Sequence, residues 1–131
     1  MIALTLDLPY PPSLNSYWRH PSSGPLAGRH LISEQGRAYR AKVCETWRHS
    51  HIPRAGALTG RLSVEILAFP PDRRRRDLDN IPKAVLDALT HAGVWLDDSQ
   101  IDRLSVVRQP AEMGGRLRVT ISAMLENNGE G

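Results

Sequence analysis

The chain has 131 residues, a net charge of +3 and a hydrophobic fraction of 40%, which together suit one folded domain. Its single cysteine, Cys44, excludes an internal disulfide and a zinc site made of four cysteines from one chain. No signal-peptide pattern opens the sequence, and no segment approaches the ~20 apolar residues of a membrane span. These features predict a soluble cytoplasmic protein without a membrane partner.

The N-terminal segment alternates apolar and polar residues, which predicts a half-buried first strand from Ile2 to Leu8. Five prolines and two glycines follow between Pro9 and His30, a composition that predicts a long loop without regular structure. Polar, aromatic and basic residues gather inside this loop at 15–20. They could contact nucleic acid, but anchoring of Tyr17 and Trp18 in the core is the favoured interpretation.

Two helices are predicted. Ser33 begins the first, over about residues 34–50, because apolar residues then recur every four positions. These residues are Tyr39, Val43 and Trp47. The second helix is predicted over about 81–92, with Asn80 or Asp79 as the N-cap and Gly93 as the C-terminal stop.

Three further strands are predicted from alternating apolar residues, over 61–69, 101–109 and around 117–121. The last two are expected to form an antiparallel hairpin. The element order is then β-α-β-α-β-β, which indicates an α+β single domain with one mixed or antiparallel sheet. This domain is predicted to cover residues 1–124, and residues 125–131 to be a disordered tail.

Paired carboxylates occur at both ends of the second predicted helix. Side chains two apart in an extended backbone point the same way, so Asp77 and Asp79 can face one cation. Mg²⁺ prefers such oxygen ligands and leaves positions for water and phosphate. A third carboxylate could come from Asp97 or Asp98 if the chain folds back. The structural interpretation is that Asp77 and Asp79 cap a helix and neutralise nearby arginines, and that Asp97-Asp98 is a turn.

Basic residues lie beside these carboxylates. The block Arg73 to Arg76 could bind DNA phosphates or form a solvated loop. Lys83 could stabilise charge on a phosphate, but it is also spaced for ordinary helical ion pairs with Asp79 or Asp87. The position of the carboxylates next to a block of positive charge favours metal-dependent chemistry on a phosphodiester over the interpretation that they only cap a helix.

Five segments carry a resemblance to a known family: LPYPPSLNSYWRH, SEQGRAYR, DRRRRDLDNIPKAVLDAL, GVWLDDSQI and GGRLRVTI. Across most of residues 4–122 the chain resembles the RusA-type Holliday junction resolvases. The stretch 21–30 is longer than the family pattern. The resemblance implies a Mg²⁺-dependent endonuclease that binds four-way DNA junctions as a homodimer and nicks two strands symmetrically.

The resemblance also implies roles for individual residues. Three aspartates match the catalytic metal ligands: Asp77, Asp79 and Asp98. Lys83 matches the catalytic lysine, and Asn80 completes the D-x-D-N motif. DNA contacts are expected from the basic block and its neighbour, namely Arg73, Arg74, Arg75, Arg76 and Asn80. Two alternatives stay open: a non-catalytic branched-DNA-binding module, and a nuclease that cuts flaps and other branched DNA without strict preference for four-way junctions.

Overall fold

The computed structural model describes residues 3–50 and 56–124. Its helices and strands are, in chain order, β1 (Leu4–Leu8), α1 (Leu14–Tyr17), β2 (Trp18–Arg19), β3 (Leu31–Ile32), α2 (Glu34–Arg48), β4 (Leu62–Phe69), α3 (Pro82–Ala92), β5 (Ile101–Arg108) and β6 (Arg116–Ala123). This confirms the predicted α+β class and the order of the six main elements. The predicted tail, 125–131, lies outside the described residues. No described helix is long and apolar enough to cross a membrane.

The main sheet has the strand order β1-β6-β4-β5 and is mixed. Strand β4 pairs in parallel with β5 and antiparallel with β6, and β6 also pairs antiparallel with β1. The predicted hairpin between the last two strands is therefore wrong. After β5, the connection crosses the end of β4, where Glu112 N donates to Pro70 O at 2.8 Å. This crossing places β6 on the opposite side of β4.

One face of the sheet is buried under α2 and α3. The alternate side chains of β4 that point to this face are at most 2% exposed: Leu62, Val64, Ile66 and Ala68. The four-residue repeat predicted for α2 also faces the core, and so does the stripe of α3 that contains Val85 and Leu89. The core therefore lies in one layer between a sheet and two helices.

The region 9–30 contains regular structure, contrary to the prediction. It holds the single turn α1, and β2 pairs with β3 through Trp18 and Ile32. Tyr17 is fully buried, which confirms the anchoring interpretation for that ring. Gly36 of α2 packs directly against this region: an added Cβ would lie 2.6 Å from Ile32 Cγ1 and closer still to the Tyr17 carbonyl.

The two main helices begin differently. Ser33 caps α2 as predicted, since its Oγ accepts from Gly36 N at 3.0 Å. The predicted cap of α3 by Asn80 or Asp79 is wrong, because a 3₁₀ turn over Leu78–Asn80 precedes the helix and Ile81 is the N-cap without a side-chain bond. Ile81 N instead donates to Leu78 O at 3.1 Å, so a backbone carbonyl rather than a side chain satisfies this amide. Gly93 ends α3 with φ of 85°, as predicted.

Candidate active site

The arginine block is tied to the fold by one carboxylate, Asp72. Arg76 Nη1 donates to Asp72 Oδ1 at 2.7 Å, and Arg74 N donates to the same oxygen at 2.9 Å. These bonds lower the pKa of Asp72 to about 2. Arg73 and Arg75 are exposed and make no ion pair with a described residue. Arg76 therefore fixes the segment between β4 and α3, and Arg74 pairs loosely with Asp72. The charges of Arg73 and Arg75 face solvent.

The side chains of Asp77 and Asp79 do not cap either helical element, although Asp77 occupies the N-cap position of the 3₁₀ turn. Neither side chain accepts a cap bond at the 3₁₀ turn or at α3, and neither forms an ion pair within residues 3–50 and 56–124. Both residues are exposed. The structural interpretation of the two carboxylates, capping plus arginine neutralisation, is therefore wrong, and Asp72 performs the neutralisation instead.

Lys83 also lacks the ion pair that its spacing allows. Its Nζ lies 5.8 Å from the centre of the Trp18 ring, and it makes no salt bridge in the described part of the chain. Asp87, one turn further along α3, is occupied by other partners. Arg40 donates to both Asp87 oxygens, at 2.9 and 3.1 Å, and the Tyr17 hydroxyl donates to Oδ2. The Lys83 ammonium is left exposed.

The turn after α3 gives different roles to the two adjacent aspartates, Asp97 and Asp98. Asp97 caps the 3₁₀ turn Asp98–Gln100, accepting from Ser99 N at 2.9 Å, and this backbone bond lowers the pKa of Asp97. Gln100 completes a capping box by accepting from Asp97 N at 3.0 Å, and its amide also donates to the Leu58 and Gly60 carbonyls. The turn is thereby fixed to the segment before β4.

Asp98 is the carboxylate that this turn presents without a capping role. Partial loss of hydration raises its pKa, and hydrogen bonding and charge from Asp97, then charge from Asp87, raise it further. The 3₁₀ turn that contains Asp98 packs against α3. A carboxylate held close to other carboxylates favours a proton or a cation as its partner.

The predicted metal ligands do not form a closed cluster. Across 3–50 and 56–124, no three His, Cys, Asp or Glu side chains are arranged to hold a metal ion. Their oxygen donors do match what a hard cation requires, and Mg²⁺ is usually held by only one or two carboxylates together with water and substrate phosphate. The assignment of Asp77, Asp79 and Asp98 as a metal set stays a prediction.

A cavity of about 820 Å³ opens next to Asp77. The loop before α1, the first half of α2 and the 71–81 connection form its walls. Asp77 and Asn80 line it, together with three cations: Lys42, Arg75 and Arg76. Asp79, Lys83 and Asp98 are not among its lining residues. The three cations would attract an anionic chain to this cavity, which borders the Asp77 carboxylate.

Sequence reasoning missed the partly buried cluster of Tyr17, Arg40 and Asp87. Its members are brought together from α1, α2 and α3, so no local spacing connects them. Asp87 was considered only as a partner for Lys83. Arg40 and Tyr17 occupy the Asp87 carboxylate, which Lys83 therefore does not share.

Known proteins match over nearly the whole chain. The family model described as endodeoxyribonuclease RusA matches residues 9–122. The chain belongs to the RusA endodeoxyribonuclease family. Crossover junction endodeoxyribonuclease RusA of Escherichia coli (strain K12) is 43% identical over 124 residues, which cover 95% of this chain and 98% of that relative. The protein of the same name from Enterobacteria phage 82 is 45% identical over 119 residues, covering 91% and 93%. The predicted RusA family membership is confirmed.

Proposed function

We propose that this protein is an endonuclease that resolves four-way DNA junctions, using Mg²⁺ and acting as a homodimer. The observation that carries the proposal is the RusA match over residues 9–122, which includes every predicted site residue. The names of the relatives give the substrate class, a crossover junction. The release of Asp77, Asp79 and Lys83 from ion pairing supports the proposed roles.

In this proposal Asp77, Asp79 and Asp98 hold Mg²⁺. When bound, the ion supplies positive charge against the phosphate and makes an attacking water more acidic. The carboxylates orient that water by accepting its hydrogens, and Lys83 donates to the oxygen on which negative charge develops. Phosphate oxygens and water would add to these carboxylates as ligands, so the protein would not have to supply a closed cluster by itself.

Symmetric paired nicks follow from the proposed homodimer. A four-way junction has approximate two-fold symmetry, and one chain carries only one set of these residues. Two copies related by a two-fold axis would present two sites to strands of equal polarity. Arg73 and Arg75, whose charges face solvent, would bind the backbone on either side of each nick.

Cleavage of a labelled four-way junction by matched variants tests the assigned site. We expect Asp79→Asn and Asp98→Asn to lose at least about 100-fold in cleavage rate, the scale of an essential electrostatic group, while both still bind the junction. Asp97→Asn is the matched control, because an asparagine oxygen can still accept the cap bond from Ser99 N. It should cut at nearly the wild-type rate.

The same assay separates the alternatives. Undiminished cleavage by Asp79→Asn would reject the site. Junction binding by the wild type without any cleavage in Mg²⁺ would indicate a non-catalytic module. Cleavage of flaps or linear duplex as fast as the junction would indicate a less selective nuclease.

A further inference from the structure

A ladder of aromatic rings extends from the core to the surface along the β2–β3 hairpin. The buried Tyr17 meets Trp18 edge-on, with ring centres 4.9 Å apart. His30 stacks on Trp18 at 4.5 Å with a 36° tilt, and His20 contacts His30 at 4.6 Å. Both histidines are exposed. One end of the ladder is buried at Tyr17, and the other end consists of two exposed imidazole rings.

The hairpin that carries the ladder has no negative charge. No Asp or Glu occurs between Asp7 and Glu34, whereas an arginine directly precedes each histidine, Arg19 before His20 and Arg29 before His30. Polyanions bind such a surface without having to overcome like-charge repulsion. The charge complements DNA and disfavours an acidic protein partner.

The ladder also stands beside the proposed catalytic lysine. Lys83 Nζ lies 5.8 Å from the Trp18 ring centre. Trp18 lies next to both Lys83 and His30, and His30 contacts His20, so the lysine and both histidines share one patch. A nucleotide whose phosphate contacts Lys83 would therefore have its base within reach of these rings.

We infer that His20 and His30 form a stacking site for an unpaired nucleobase at the branch point of the DNA. Bases within an intact duplex already stack on their neighbours and present no free face, whereas a branch point offers bases whose stacking is interrupted. Aromatic side chains beside cationic groups bind such bases with little regard to sequence. The site would favour branched DNA over linear duplex. This inference rests on the proposed junction-cleaving function.

Variants at the exposed histidines separate stacking from charge. We compare His20→Ala/His30→Ala, His20→Phe/His30→Phe and His20→Lys/His30→Lys with the wild type in an Asp79→Asn background, so that binding is measured without cleavage. The readouts are junction affinity, duplex affinity and the fluorescence of an adenine analogue at the branch point, which is quenched on stacking. His91→Ala is the matched control, since His91 is also exposed but lies about two turns along α3 from Lys83. Thermal unfolding of each variant reports its fold.

The alanine pair should lose about 5- to 150-fold in junction affinity, the range for one base stacked on an aromatic side chain, with little change in duplex affinity and loss of quenching. The phenylalanine pair should retain both properties, and the lysine pair should not recover quenching. Unchanged junction affinity and quenching in the alanine pair would overturn the inference. Full recovery by lysine but not by phenylalanine would overturn it too, because charge would then suffice. A wild type that neither binds nor cuts junctions would refute the proposed function itself.

Discussion

Asp97 and Asp98 are adjacent in sequence but differ in their environment. The Ser99 backbone N–H stabilises the Asp97 carboxylate and lowers its pKa, whereas partial loss of hydration and the neighbouring Asp97 and Asp87 raise the pKa of Asp98. Spacing along the chain could not distinguish the two residues, because the difference arises from which carboxylate turns back to the Ser99 amide. Asp97 stabilises the turn, whereas the negative charge of Asp98 is unfavourable in its surroundings.

Replacement of that charge should stabilise the protein. The pKa of Asp98 in the folded state is above its unfolded value of about 3.9, so the folded state binds more protons in the interval between them. The contribution of this carboxyl to stability therefore falls as pH rises through that interval, and stays lower above it. We expect Asp98→Asn to raise Tm near pH 7 and to leave it unchanged at about pH 3.

Thermal unfolding with a metal chelator present measures this difference without any contribution from bound ions. Asp97→Asn provides the comparison, because its folded-state pKa is lowered rather than raised. A neutral-pH Tm of Asp98→Asn at or below that of the wild type would contradict the expected relief of repulsion.

Among the elements, those with long apolar periodicity were predictable and the short ones were not. Strand β4 and helix α2 each repeat their apolar pattern several times, so the sequence periodicity predicted which face would be buried. Helix α1 has four residues and β2 has two, too few to show any period. The 3₁₀ turn before α3 was missed for the same reason, and with it the true N-cap. Tertiary packing specifies these short elements.

Gly36 illustrates how such packing acts on a helix. Any side chain there would meet the Tyr17 carbonyl and Ile32, so α2 can approach the β2–β3 hairpin only because this position lacks a Cβ. We expect Gly36→Ala to lower the free energy of unfolding by about 1 to 3 kcal/mol, the usual cost of overpacking, despite the roughly 1 kcal/mol gain in helix propensity.

Denaturant unfolding followed by circular dichroism tests this expectation. Lys42→Ala is the control on the same helix: Lys42 is exposed, and the change should stay within about 0.5 kcal/mol. A Gly36→Ala variant more stable than the wild type would mean that the hairpin can move away from α2 at no cost.

The basic residues of the protein serve two purposes: some stabilise the fold, and others are available to bind DNA. Arg76 is bound to Asp72 and lies 5.9 Å from the centre of the Tyr10 ring, whereas Arg73 faces solvent. We expect Arg73→Ala to leave Tm unchanged and to reduce the slope of log affinity for DNA against log salt by about 0.9, the effect of one lost phosphate contact. Arg76→Ala should lower Tm.

Junction binding titrated over a range of salt concentrations gives the slope, and thermal unfolding gives the second readout. An unchanged slope for Arg73→Ala would remove that residue from the DNA contact surface. The result that would contradict the division between the two arginines is a Tm loss at Arg73 equal to that at Arg76.

The strand order could not be predicted from the sequence. Alternation in β5 and β6 identifies which side chains face the core, but either neighbour in the sheet would satisfy the same pattern. Two hydrogen bonds hold the loop after β5 against the end of β4: Gln109 N donates to Ala68 O, and Glu112 N donates to Pro70 O, both at 2.8 Å. These bonds guide the chain past the end of β4. The residues of the candidate site lie within one stretch around α3, so the sequence was enough to nominate them, and their roles stay predictions.

The position of β6 also sets an order of events during synthesis. Strand β1 pairs in the sheet only with β6 among the described strands, and Leu4 has Ile121 as its partner. On a ribosome, β1 emerges long before its partner and must remain unpaired until translation of the domain is almost complete. Pairing over such sequence separations closes a large loop and is slow. The sheet should therefore close only after β6 leaves the exit tunnel, and until then chaperones would have access to the exposed edges of β1 and β4.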